Sequence, residues 1–399
     1  MKNISIALLA ASVAGASGLP GILLEGGGWT GSPSARALAM GRAEFMDASA
    51  IGSLTNPAAA SLAAEGLVVQ LSGGLDMLVE RRTRTVYDSF GSSIGEAEHA
   101  FNRSSPIVPG AVAATLSGVG GMPEGLSLAF GWVERASFAY GYDRTVTNDY
   151  YVTIGQEDLS CGGFAAEACA SAALEVSDAV TVGIGGGWLH GFRDVAWDVV
   201  WVDPSVPDIG EETSSDLEGF TGRVSVALSP REDLGVDFGA EKTLSASWDG
   251  DTGGDLSLPP RLRLGFSWLP GNALRTRFTA EGSYYAASNA EFDGADMGLR
   301  DGWSVSTGIE NLIPRGPACR FGFRYDRSPV SRALDTASFT GGMGFELGEW
   351  AFDAGACFTP SSWDQQDLPG LVSFDDGDSL RVEETGTMLM LSASRAFEL

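Results

Sequence analysis

A chain of 399 residues with 44% hydrophobic side chains has material for one large domain or two ordinary ones, which excludes general disorder. Its 25 Lys and Arg face 52 Asp and Glu, a formal net charge of −27 that repels phosphate, so nucleic acid is excluded as a partner. With 54 glycines and only 19% charged residues the composition is poor for helices, where each glycine costs about 1 kcal/mol, and it points to an all-β chain.

Residues 1–16 predict a signal peptide: a cation at Lys2, an apolar run from Ile4 to Val13, then Ala14, Gly15 and Ala16 before a cleavage point near Ser17. That run is too short to span about 30 Å of hydrocarbon, and no later segment offers the roughly 18 uninterrupted apolar residues of a transmembrane helix. The chain is therefore exported, either as a soluble protein or as a β-barrel. Residues 17–64 do not alternate. The stretch GRAEFMDASAIGSLTNPAAASLAA is rich in small residues, Pro57 pushes Asn56 toward extended backbone, and the segment suits short helical turns packed inside something, a candidate plug.

From 65 to 399 the pattern changes to a period of two. Fourteen runs are predicted, near 66–87, 109–118, 125–146, 163–174, 179–201, 217–228, 233–248, 260–269, 274–288, 301–312, 317–327, 337–346, 349–362 and 380–398. In RLRLGFSWLP, Leu262, Leu264, Phe266 and Trp268 share one face, and Arg261 and Arg263 the other. Phe321, Phe323 and Tyr325 alternate likewise with Arg320, Gly322, Arg324 and Asp326. A soluble sandwich also alternates. The rest of the design separates the two: tight turns near 175–178, 230–233, 270–273, 314–317 and 347–349 take turns with acidic connections at 88–105, 203–215, 249–258, 289–301, 327–336 and 361–379. An even number of up-and-down strands behind a signal peptide predicts a 14-stranded antiparallel transmembrane β-barrel, the apolar face toward lipid and the arginines toward a wet lumen.

Smaller features add little chemistry. Cys161, Cys169, Cys319 and Cys357 form no CxxC; Cys161 and Cys169 either pair across a loop or are unrelated small apolar residues. Of the two histidines, His99 falls in a predicted loop and His190 alternates with Trp188 and Phe192 toward the membrane boundary, so no catalytic base is evident and no enzyme is expected. The stretch WDGDTGGD lacks the ligands of a calcium loop at Gly253 and Pro260, so no metal and no cofactor is expected. Gly183, Gly185 and Gly187 predict close packing of the interior face against the plug, and Gly131 in LAFGWVER is a candidate kink in the wall.

Arg223, Arg261, Arg263, Arg275, Arg277, Arg320 and Arg324 all fall on the predicted interior face, with Asp237, Glu241, Glu281, Glu310, Asp326 and Asp353 as partners. They either form an internal ion-pair network that anchors the plug, or one or two grip a ligand carboxylate. Arg320 and Arg324 are the first candidates for ligand contact, followed by Arg261, Arg263, Arg275 and Arg277.

SARALAMGRAEFMDASAIGSLTNPAAASLA, with Asn56, Pro57 and Ala58, resembles the N-terminal hatch of the long-chain fatty-acid and toluene outer-membrane transporters, the FadL-like family. ASAALEVSDAVTVGIGGGWLHG, LPPRLRLGFSWLP and RFGFRYDRSPV resemble later segments of that family in the same order. The resemblance implies a bacterial outer-membrane barrel occluded by a hatch, placed by the barrel-assembly machinery among outer-membrane lipid. It implies passive inward diffusion of hydrophobic small molecules, from an extracellular groove to a lumenal pocket and then sideways through a gap in the wall. Two departures stand out: the chain ends SRAFEL without a terminal aromatic, and the 88–105 connection is brief. A second reading is a FadL-like barrel linked to secretion, whose pore holds a secreted protein partner. An apolar lumen pocket separates the two, and alternation places mostly Gly, Ser, Thr and charge inside.

Overall fold

The computed structural model of the protein describes residues 34–62, 65–88, 90–147, 152–251, 253–272, 275–314, 316–366 and 379–398. The predicted signal peptide, residues 17–33 and most of the 361–379 connection lie outside them.

The alternating runs pair as one closed antiparallel sheet. In chain order its strands are β1 (Gly66–Tyr87), β2 (Ser93–Ser104), β3 (Ile107–Ser117), β4 (Leu126–Ser137), β5 (Tyr140–Thr147), β6 (Thr153–Ser177), β7 (Val180–Trp201), β8 (Ile209–Arg231), β9 (Leu234–Gly250) and β10 (Gly254–Ser257). They continue with β11 (Arg261–Trp268), β12 (Arg277–Tyr285), β13 (Glu291–Phe292), β14 (Ala295–Asp296), β15 (Gly302–Leu312), β16 (Ala318–Arg327), β17 (Thr336–Leu347), β18 (Trp350–Gln366) and β19 (Ser379–Phe397). β2 with β3 makes one wall strand and β4 with β5 another, while β10, β13 and β14 are short pieces at the mouth, which leaves 14 staves. The barrel closes where β1 pairs with β19, from Leu67 opposite Phe397 to Arg84 opposite Leu380.

Strand alternation sets the two faces. On β11, Leu262, Leu264, Phe266 and Trp268 are 51%, 50%, 40% and 40% exposed, while Arg263 and Gly265 between them are buried. Phe321, Phe339, Ile184 and Phe220 continue the outward apolar band. Pairing runs around the barrel except along the upper part of one seam, so the outward band faces hydrocarbon with its backbone satisfied by neighbouring strands.

The staves differ in height. β11 and β12 have 8 and 9 residues, close to the 9–11 that cross a bilayer. β6, β7 and β8 have 25, 22 and 23, or about 70–80 Å at roughly 3.3 Å per residue. The excess lies at the end opposite the tight turns. There the predicted loop 88–105 is corrected: most of it is β2, paired along the upper half of β1 from Leu78 opposite Ser104 to Tyr87 opposite Ser93. Glu96, Glu98 and Arg103 are exposed polar residues on a strand standing above the apolar band, which gives the stretch a loop-like composition. His99 accordingly sits in β2, not in a loop.

Candidate functional site

Residues 34–62 lie against inward-facing wall residues. Helix α1 (Ala35–Ala39) starts where the Ser34 hydroxyl accepts the Ala37 N–H at 3.4 Å, and α2 (Gly52–Thr55) leads into a 3-10 turn, Pro57–Leu62. Both helices are too short to be stable alone, so tertiary contacts hold them. Arg36 pairs with Glu310 at 2.9 Å, and the Ala35 N–H donates to Ser392 at 3.0 Å. The Gly41 N–H donates to Thr340 at 2.9 Å, and the Phe45 N–H to Glu281 at 3.0 Å. Asn56 Nδ2 donates to Asp237 Oδ2 and to the Phe45 carbonyl, both at 2.8 Å, and the Ala58 N–H reaches Ser225 at 2.8 Å. Asn56 keeps the extended backbone expected before Pro57. Burial raises the Asp47 carboxyl above its ordinary range, against the opposing pull of Arg36 and hydrogen bonds from Ser34 and Ser49.

Wall glycines make room for this segment. A Cβ on Gly183 would stand 2.3 Å from the Ala58 nitrogen, and one on Gly185 3.1 Å from Pro57, as the glycine reading expected; at Gly187 the first obstacle is instead Glu167. Gly355 and Gly322 seat Ala35 and Gly41 in the same way.

The inward arginines are tied to carboxylates. Arg320 Nε donates to Glu310 at 2.8 Å and its Nη1 lies 2.5 Å from Asp353, while Arg324 forks onto Asp326 at 2.6 and 2.7 Å. Arg223 bridges Glu167 and Glu241, and Arg263 bridges Glu241 and Glu44. Arg261 lies over the Tyr285 ring, and Arg277 starts β12 opposite Glu310. Arg275 is corrected: it is exposed in the turn before β12 with φ +45°, because Asn272 binds the Thr276 N–H and hydroxyl at 2.9 Å and postpones the strand.

Above this charged middle the lumen turns apolar. Phe138, Tyr140, Tyr142, Leu159, Leu189, Leu217, Trp248, Trp363 and Val382 form one buried cluster, joined from the loops by Leu258 and Leu334. The expectation of a lumen without an apolar stripe is thereby corrected: each strand supplies only one or two of these side chains, so no single run shows them. Polar groups punctuate the cluster. Arg82 stacks 4.7 Å from the Tyr142 centroid and binds Glu80 at 2.7 Å, and Arg193 stacks 4.7 Å from the Trp248 centroid. Among the described residues, the buried donors Trp248 Nε1 and Arg82 Nη1 have no hydrogen-bond partner.

Beside the cluster the wall is interrupted. β3 pairs with β4 only from Ser117 opposite Ser127 up to Ala111 opposite Val133, and among the described residues no ladder joins the second stave to the third above it. The third stave bulges between Glu134 and Ala136, with Arg135 as the extra residue, and breaks again between Ser137 and Tyr140. Gly131, the candidate kink, instead faces Leu54, whose Cδ1 stands 2.6 Å from the Cβ position. Side chains cross the seam where backbone does not: Asn102 Oδ1 accepts the Asp143 N–H at 2.9 Å, and His99 Nε2 lies 2.8 Å from Arg144 Nη1.

His190 faces outward as expected, stacked 4.7 Å from Trp188 and receiving the Trp132 Nε1–H at 3.4 Å. The four cysteines are free, and Cys161 and Cys169 lie eight residues apart on one strand, about 26 Å of extended chain, beyond any disulfide.

No protein-family model matches the chain, and no curated protein matches its sequence. Among solved structures it is similar to a Pseudomonas aeruginosa FadL homologue at 13% identity, covering 92% of this chain and 98% of that one with a TM-score of 0.60. It is also similar to the Ralstonia pickettii toluene transporter TbuX at 14% identity, 92% and 98% coverage and TM-score 0.58. The P. putida toluene transporter TodX follows at 15% identity, 91% and 98% coverage and TM-score 0.59. The chain has their barrel fold over nearly its whole length.

Proposed function

We propose that the protein is an outer-membrane channel, not an enzyme, for passive uptake of hydrophobic small molecules such as long-chain fatty acids or aromatic hydrocarbons. The apolar cluster in the upper lumen carries the reading. Such a cluster holds an apolar solute with about 0.8 kcal/mol per buried methylene, where a water-filled pore would hold none. The named transport of toluene by structures of the same fold supports the choice.

Residues 17–64, including Asn56, Pro57 and Ala58, act as the hatch that keeps the lumen shut to water-soluble molecules. A hydrophobic molecule need not pass the arginines below. The interrupted seam between the second and third staves offers a sideways exit into hydrocarbon, downhill for an apolar solute. The arginines then belong to the hatch anchorage: Arg320, Arg324 and Arg263 each have a carboxylate already.

The test is uptake of a labelled long-chain fatty acid and of toluene by cells carrying the wild type, a Phe138→Ala/Trp248→Ala variant, or no barrel. Faster entry with the wild type, reduced in the double variant, supports the channel. Equal entry in all three overturns it and turns attention to a secreted protein partner.

A further inference from the structure

We propose that an alternating chain of ion pairs transmits the seating of the N-terminal segment to the wall seam, with Glu167 as the positioning residue at its centre. The proposal rests on the uptake reading above, for which such a link would open the exit only when the lumen is unblocked.

The chain begins at the seam. Because Arg135 is the extra residue of the β4 bulge, it and its neighbour Glu134 are both buried in spite of strand alternation. Arg135 Nε donates to Glu167 Oε2 on β6 at 2.8 Å. The same carboxylate receives the Arg223 guanidinium and the Thr221 hydroxyl from β8. Arg223 Nη2 reaches Glu241 Oε1 on β9 at 3.3 Å, and Glu241 Oε2 reaches Arg263 Nη2 on β11 at 3.4 Å. Arg263 Nη1 ends the chain 3.8 Å from Glu44, in the N-terminal segment. Glu44 precedes Phe45, whose ring fills the space where a Cβ of Gly239 would stand, so its position is tied to the seating of the segment.

Three arginines and three glutamates alternate, and their formal charges cancel. Remove Glu44 with the segment and Arg263 keeps Glu241 alone as an ion-pair partner among the described residues. Arg263 then draws Glu241 toward itself, Arg223 falls back on Glu167, and Arg135 loses its share of that carboxylate. What it loses is the contact that turns the bulge inward beside the seam. The ends of this chain are joined by charge redistribution through named contacts, so the coupling has a residue-by-residue test.

Hydrogen exchange of the full-length protein in lipid vesicles reads the seam directly, at the amides of residues 134–139, without depending on transport. Glu44→Gln is mild, since that residue is only partly buried and lies in no strand. It is expected to speed exchange at 134–139 about 5- to 150-fold, the span of ordinary coupling energies. Asp237→Asn weakens the anchorage of Asn56, which also holds the Phe45 carbonyl beside Glu44, and is expected to speed exchange in residues 43–62 and, through Glu44, at the seam. Arg135→Lys keeps the charge at the bulge and should retain wild-type protection, where Arg135→Gln loses it. Unchanged seam exchange in Glu44→Gln, or a seam that stays protected in Asp237→Asn while residues 43–62 exchange faster, overturns the proposal. If the seam responds as expected but the wild type moves no hydrophobic compound, the coupling stands and the uptake reading falls.

Discussion

Gly322→Ala tests how the N-terminal segment is seated. A methyl group there would stand 2.1 Å from the Gly41 nitrogen, 2.5 Å from the Met40 carbonyl carbon and 2.7 Å from the Gly41 Cα. All three are backbone atoms, and Gly41 has φ +78°, a left-handed conformation that leaves the chain little room to adjust. Overpacking of this kind costs about 1–3 kcal/mol. Lifting the segment to relieve the clash would instead lose the Gly41 N–H bond to Thr340 and the Thr340 hydroxyl bond to the Ala39 carbonyl, together about 1–3 kcal/mol, so neither response is cheaper than the other. The seated state should weaken by about 1–3 kcal/mol, or roughly 5-fold to 150-fold in its equilibrium constant. Gly341→Ala is the control, since its methyl would meet nothing nearer than 3.7 Å. Limited proteolysis of the folded barrel reads the difference: cleavage within 34–62 should accelerate in Gly322→Ala and not in Gly341→Ala. Equal cleavage in Gly322→Ala and wild type would refute the seating argument.

Phe266→Lys places a cation on the outward band and should destabilise the barrel by about 2–4 kcal/mol near the bilayer midplane, measured by denaturant unfolding in lipid vesicles. The raised Asp47 carboxyl gives acid-side stability: its contribution is complete below the ordinary value near 3.8 and is lost as pH rises through the higher folded value. Protection of residues 34–62 from protease should therefore fall as pH rises through that window in the wild type, with a flatter profile in Asp47→Asn. Oxidation should leave Cys161 and Cys169 unlinked, so non-reducing electrophoresis should show no intramolecular shift; a shift would contradict the strand placement.

How much was legible depended on how local each signal is. The lipid face of β11 needed only the order of Leu262, Leu264, Phe266 and Trp268, because adjacent strand residues point oppositely whatever lies across the sheet. Asn56 next to Pro57 was legible for the same reason. The upper lumen was not: Leu159, Leu189, Leu217 and Trp248 come from four strands, and each sits alone in a run that also carries charge. Nor was β2, whose exposed Glu96, Glu98 and Arg103 are what a loop would also carry. Arg275 failed by a different route, since a side-chain cap from Asn272 moved the start of β12 past it.

The sequence by itself determined that this is a 14-staved wall, which residues face outward, and that a non-alternating segment precedes the wall. Those are consequences of a two-residue period and of the need to satisfy every backbone group in lipid, and both act along the chain. Only the tertiary structure decided which carboxylate each arginine meets, where the third stave bulges, and that scattered apolar side chains converge above the charged middle. Closing the barrel sets those outcomes, because residues far apart in sequence, such as Arg263 and Glu44, become neighbours only when the sheet curves around the segment it encloses.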